Sequence, residues 1–136
     1  MDLKTQLNGL NDFLTAIHGE ETSLESLLES LDFEAAQVKL LREQRLEAVA
    51  GQFIEVVRKR LTWEEKDLWY RVLARRFGLD GEPGAAIDGV AAALGIEPSH
   101  AAYAEAEAMH KCRYTTNLQD FRKELPRLAL NELSNN

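Results

Sequence analysis

The stretch Arg75-Arg76-Phe77-Gly78-Leu79-Asp80-Gly81-Glu82-Pro83, RRFGLDGEP, interrupts a chain that elsewhere shows helical spacing almost throughout. Read locally it is a helix end followed by a connector. Gly78 is the residue type that most readily takes the left-handed conformation ending a helix. Residues 78–85 then hold three glycines and one proline, which makes a turn rather than an element. These glycines are not a phosphate cradle, because no strand precedes them and no Lys-Ser/Thr pair follows.

Downstream of the connector, an alanine-rich helix is expected from Ile87 to Leu94, closed by Gly95. Pro98 suits the first turn of the next helix, expected over residues 98–113, and a last helix over 118–133 should be kinked or split by Pro126. Upstream, Thr62-Trp63-Glu64-Glu65 reads as a capping box, so that a new helix starts after Leu61 and runs through Trp69, Val72, Leu73 and Phe77. Before it, Asp32 is expected to cap a long third helix carrying Val38, Leu41, Leu46, Val49 and Phe53 on one stripe as far as Leu61. A box at Thr22-Ser23-Leu24-Glu25 starts a short second helix through Leu31. Leu3, Leu7, Leu10, Leu14 and Ile17 alternate spacings of four and three, the seam of an amphipathic or coiled-coil first helix whose partner surface lies elsewhere. No segment alternates like a strand, so the fold class is all-α.

Ile87 to Leu94, a short turn containing Gly95, and the helix from Pro98 follow the helix-turn-helix plan. On wider context the resemblance is specific. LTWEEKDLWYRVLARRFGLDGEP, then IDGVAAALGI, then EAEAMHKCR resemble region 4 of the principal bacterial sigma factors, without a gap, over about residues 53–113. The residues that carry the resemblance are Leu61, Thr62, Glu65, Arg76, Phe77, Gly78, Leu79, Asp80 and Gly81 on one side of the connector. On the other side they are Val90, Leu94, Gly95, Ile96, Glu105, Ala106, Ala108, Met109, Lys111 and Arg113. The resemblance implies a helix-turn-helix domain over 53–113, preceded by a helical, coiled-coil-like segment over 1–52 and followed by a short helix and tail over 114–136. The first sixty residues carry no sigma counterpart, so the chain is not read as a complete sigma factor.

The departures from that pattern decide the expected function. Where the family places arginines, a glutamate and a glutamine that read bases, this chain has Pro98, Ser99, His100, Ala102 and Tyr103. Bidentate Arg to guanine is the chemistry such reading needs. The family's Arg-Thr before the first helix of the motif is Ala85-Ala86. From Leu61 to Arg113 there are six Lys/Arg against nine Asp/Glu, whereas a surface that neutralises phosphates should be basic. The positions that would face DNA are Ser99, His100, Ala102, Tyr103 and Lys111. The resemblance also implies a groove for the flap tip of the RNA polymerase β subunit, lined here by Phe53, Val56, Val57, Trp69 and Leu73; the same side chains read equally well as ordinary core.

Bulk properties agree with a non-catalytic interaction protein. The 136 residues carry a formal net charge of −7 and a pI near 5.0, so no global field draws the chain to phosphate. A single cysteine, Cys112, has no disulfide partner within the chain and reads as a small core hydrophobe, consistent with a cytoplasmic location. His100 and His110 are ten residues apart on one helix and cannot share a metal, and no catalytic motif occurs. Neither cofactor nor metal is expected. The expected partner is a protein: RNA polymerase, a sigma or other transcription factor, or a second copy through the N-terminal helices. The alternative is a DNA-binding regulator of altered specificity using Tyr103, His100, Lys111 and the Arg58-Lys59-Arg60 cluster.

Overall fold

A computed structural model describes residues 2–61 and 67–134. The capping box expected at Thr62-Trp63-Glu64-Glu65 lies outside them. Among the described residues there are eight helices and no strand: α1 (Leu3–His18), α2 (Leu24–Ser30), α3 (Ala35–Gln44), α4 (Leu46–Leu61), α5 (Leu68–Phe77), α6 (Ile87–Leu94), α7 (Pro98–Cys112) and α8 (Thr115–Ser134).

Local chemistry sets most helix ends. The Asp2 carboxylate accepts from the backbone N–H of Lys4 at 3.0 Å and of Thr5 at 3.3 Å, opening α1. At α2 the capping residue is Ser23 rather than Thr22. Its hydroxyl accepts from Ser26 N at 3.1 Å, while Ser23 N donates to Ser26 Oγ at 2.9 Å. The Thr22 hydroxyl is committed elsewhere, donating to Glu20 O at 2.8 Å, while the Thr22 backbone exchanges two hydrogen bonds with the Thr15 hydroxyl at 2.9 and 3.0 Å. Gly78 and Gly95 end α5 and α6 at φ 82° and 68°.

The long third helix expected from Asp32 to Leu61 is two helices. Asp32 has φ 71° and falls in the turn before α3; Glu34 stands at the start of that helix, its N–H donating to the Gln37 side chain at 3.0 Å. The chain then breaks at Arg45, φ −135°. The apolar spacing explains why: Leu41 and Leu46 are five residues apart, and in one continuous helix they would point about 140° from each other. Breaking at Arg45 lets both be buried, at 0% and 6% exposure. Pro126, expected to kink or split the last helix, lies inside a single α8. Phe121, Leu125, Leu128 and Ala129 on its buried face hold that helix to the core.

The main core joins both ends of the chain. α4 lies between α1 and α8, so Leu10, Phe13, Leu14 and Ile17 of α1 are buried within the chain rather than presented as a free seam. The boundary expected at 52/53 falls inside α4, and Gln52 donates to Glu132 of α8 at 2.7 Å. A second, smaller cluster of Val72, Val90 and Ala104 joins α5, α6 and α7, with Leu68, Trp69, Ile87, Leu94 and Ile96 around it. Trp69 packs against both clusters.

α1 seats the RRFGLDGEP turn. A Cβ at Gly9 would collide with the Phe77 carbonyl oxygen, so glycine is what lets α1 approach the end of α5. Gln6, buried at 7% exposure, donates from Nε2 to Leu79 O at 2.8 Å. The Phe13 and Phe77 rings meet edge to face with centroids 5.6 Å apart. No helix among the described residues is long and apolar enough to cross a membrane.

Candidate functional site

α7 divides into a buried and an exposed side. Ala101, Ala104, Ala108, Met109 and Cys112 face inward; Ala104 packs with Val72 of α5 and Val90 of α6, while Ala108, Met109 and Cys112 join the main core. Ser99, His100, Ala102 and Tyr103 are exposed together over the first turn and a half, with Ala106 one turn further on. Tyr103 is 64% exposed, the most open large side chain of apolar character among the described residues. No Lys or Arg lies between Pro98 and His110. Lys111 stands apart at the other end, half-buried, its ammonium 5.7 Å from the Tyr114 ring centroid. Thus four of the five positions expected to face DNA share one surface, and the one cation among them does not join it.

The scaffold behind this surface is pinned by charge. Arg76 Nε lies 3.0 Å from Glu105 Oε2, tying α5 to the middle of α7. Arg75 pairs with Asp80 at 3.3 Å, and the Asp80 carboxylate also accepts from Glu82 N at 3.0 Å. The two arginines of RRFGLDGEP therefore link their own turn to itself and to α7. At the far end, Arg113 donates to the Ala16 and Ile17 carbonyls at 2.9 and 3.4 Å, filling acceptors left open at the end of α1. Ala86 begins α6 without a side-chain cap.

The residues expected to line a partner groove are placed differently. Phe53, Val57 and Leu73 are core side chains at 1%, 0% and 0% exposure, while Val56 and Trp69 are partly buried. Phe53 packs edge to face against Phe121 of α8 at 5.6 Å. Among the described residues Phe53, Val57 and Leu73 are therefore packed as core, and α8 covers Phe53. Cys112 is fully buried, and burial pushes its thiol up to about 12, with Arg113 opposing weakly.

Gln6, Gly9 and Glu105 were not read from the sequence as positioning residues. A glycine inside an otherwise regular heptad was the one available signal, since such a glycine costs helix propensity and so implies a close approach. Compared with models of known protein families, with curated proteins and with solved structures, the chain matches none.

Proposed function

We propose that the chain is a non-catalytic, transcription-related protein in which a sigma region 4-like helix-turn-helix unit, α5 to α7, no longer reads bases and acts through protein contacts. RNA polymerase, a sigma factor or another transcription factor is the partner this reading implies. The observation that carries it is the exposed start of α7, where Ser99, His100, Ala102 and Tyr103 form a surface without Lys or Arg. Such a surface offers no phosphate neutralisation and no guanine fork. It does offer an aromatic anchor among small neighbours, the composition that dominates binding energy at protein interfaces. Because the buried side of α7 packs into the core through Ala101, Ala104, Ala108 and Cys112, with the Arg76–Glu105 pair adding a small contribution, the anchor is held before a partner arrives.

The test pairs two measurements on the full chain. Immobilised protein should retain polymerase or a sigma factor from the native cell extract, and Tyr103→Ser should lose that retention while melting like the parent. Duplex DNA should show no salt-sensitive binding at micromolar protein. A steep fall of duplex affinity with salt, reduced by Tyr103→Ser, would sink this reading in favour of the altered-specificity DNA regulator.

A further inference from the structure

Charge is unevenly distributed over this chain, and the two extremes lie on opposite flanks of α8. From residue 5 to residue 38 there is no Lys or Arg. Around α2, Glu20, Glu21, Glu29, Asp32 and Glu34 are all exposed, and none of them makes an ion pair among the described residues. Only Glu25 is held, by Arg42 at 3.0 Å.

The opposite extreme is a groove of about 380 Å3 between α4 and α8, lined by Val56, Lys59, Arg60, Glu124 and Arg127. Arg60 pairs with Asp120, and Arg127 with Glu124, so the carboxylates of the groove are already occupied. Each guanidinium has donors to spare after one carboxylate. Lys59, and Lys123 beside the groove on the exposed side of α8, make no ion pair among the described residues. The groove thus offers uncompensated positive charge around a short apolar floor at Val56.

One chain cannot join these two features. Leu118, Arg122 and Leu125 of α8 line one cavity with Leu27 of α2 and Leu31 just beyond it, whereas Asp120, Glu124 and Arg127 lie roughly half a turn round the same helix. We propose that the α4–α8 groove receives the acidic α2 segment of a second copy of this chain, giving head-to-tail association. The complementarity commits to that occupant: the segment supplies five carboxylates outside any ion pair and no Lys or Arg of its own, and the groove supplies the Lys59 ammonium, with Lys123 beside it, and no free carboxylate. A contact between two different faces does not close on itself, so copies should add progressively rather than stop at a dimer. This inference does not depend on the reading of α7.

Sedimentation of the full chain tests it. At an ionic strength of about 0.01 M, where the Debye length is about 30 Å, weight-average mass should climb with concentration; at about 1 M, with a length of about 3 Å, the chain should be monomeric. Lys59→Glu with Lys123→Glu should weaken association at least about tenfold, and so should Glu21→Lys with Glu29→Lys. All four positions are exposed and unpaired, so folding should be retained, as melting curves would check. Mixing the two double variants should restore association, since the reversed groove of one matches the reversed segment of the other. A monomer at every salt concentration overturns the proposal. So does association that neither reversal weakens, or a mixture that stays monomeric.

Discussion

At Gly9 a methyl group would have to share space with the Phe77 carbonyl oxygen, and that oxygen belongs to a backbone fixed from both sides. Gly9→Ala should therefore destabilise the fold by about 1–3 kcal/mol, the usual range for overpacking. Gly51 provides the internal control. It also lies inside a helix, but the nearest atom to its would-be Cβ is the Gln6 side-chain oxygen at 3.7 Å. Gly51→Ala should stabilise by roughly 0.5–1 kcal/mol through helix propensity alone, and urea midpoints of the two variants should move in opposite directions. Two glycines in amphipathic helices look alike in sequence, because what separates them is a neighbour about seventy residues away. Cys112 gives a pH prediction at the same scale. Burial pushes its thiol from the ordinary value of 9.0 up to about 12. Between those values the unfolded chain releases a proton that the native chain keeps, so stability falls as pH rises through that window and is fully present below it. Tyr70, raised from 10.0 to about 12 chiefly by burial, adds in the same direction. Cys112→Ala should flatten the loss of stability between about pH 9 and about pH 12 while leaving the Tyr70 part. Denaturant melts across that range would show whether the slope changes.

Among the elements, helix ends governed by one or two residues were legible and those governed by packing were not. Gly78, Gly95 and Pro98 act through their own backbone, so α5, α6 and α7 begin or end where the sequence places them. The break at Arg45 has no glycine or proline to announce it; it follows from a spacing of five between Leu41 and Leu46 that matters only once both are buried. Pro126 errs the other way. Its missing N–H removes a helical hydrogen bond, yet α8 continues because the buried face holds the helix on both sides of it. Pro126→Ala should accordingly raise stability, by up to about 3 kcal/mol if the backbone bond forms without loss of packing. A lower urea midpoint would show instead that the ring's contacts outweigh the recovered bond. The α5–α7 brace is a smaller effect. Arg76 and Glu105 are both partly open to water, so a double-mutant cycle with Arg76→Ala and Glu105→Ala should return a coupling of no more than about 1 kcal/mol.

For the whole molecule the sequence reading divided the chain at residues 52 and 113, because the likeness to sigma region 4 stops there. The core makes no such division. Phe53 rests on Phe121, Leu73 shares a cluster with α1 and α8, and Arg113 closes the end of α1. The α1 seam was legible as apolar, but its cover was not, since periodicity states that a face is buried without saying against what. One consequence can be measured directly. A fragment spanning residues 53–113 would expose Phe53, Val57 and Leu73, which are 0–1% exposed in the full chain, and would keep only the small cluster around Val72, Val90 and Ala104. At about sixty residues a chain has little surplus stability even with an intact core. The fragment should therefore lack a cooperative thermal transition and be cut rapidly by protease, while the full chain melts as one unit by both far-ultraviolet and near-ultraviolet circular dichroism. A fragment that melts cooperatively would mean that α5 to α7 are a self-sufficient unit and that α1 and α8 are appended to it. Loss of cooperativity would mean that the two ends of the chain are what allow the exposed α7 surface to exist as a defined shape at all.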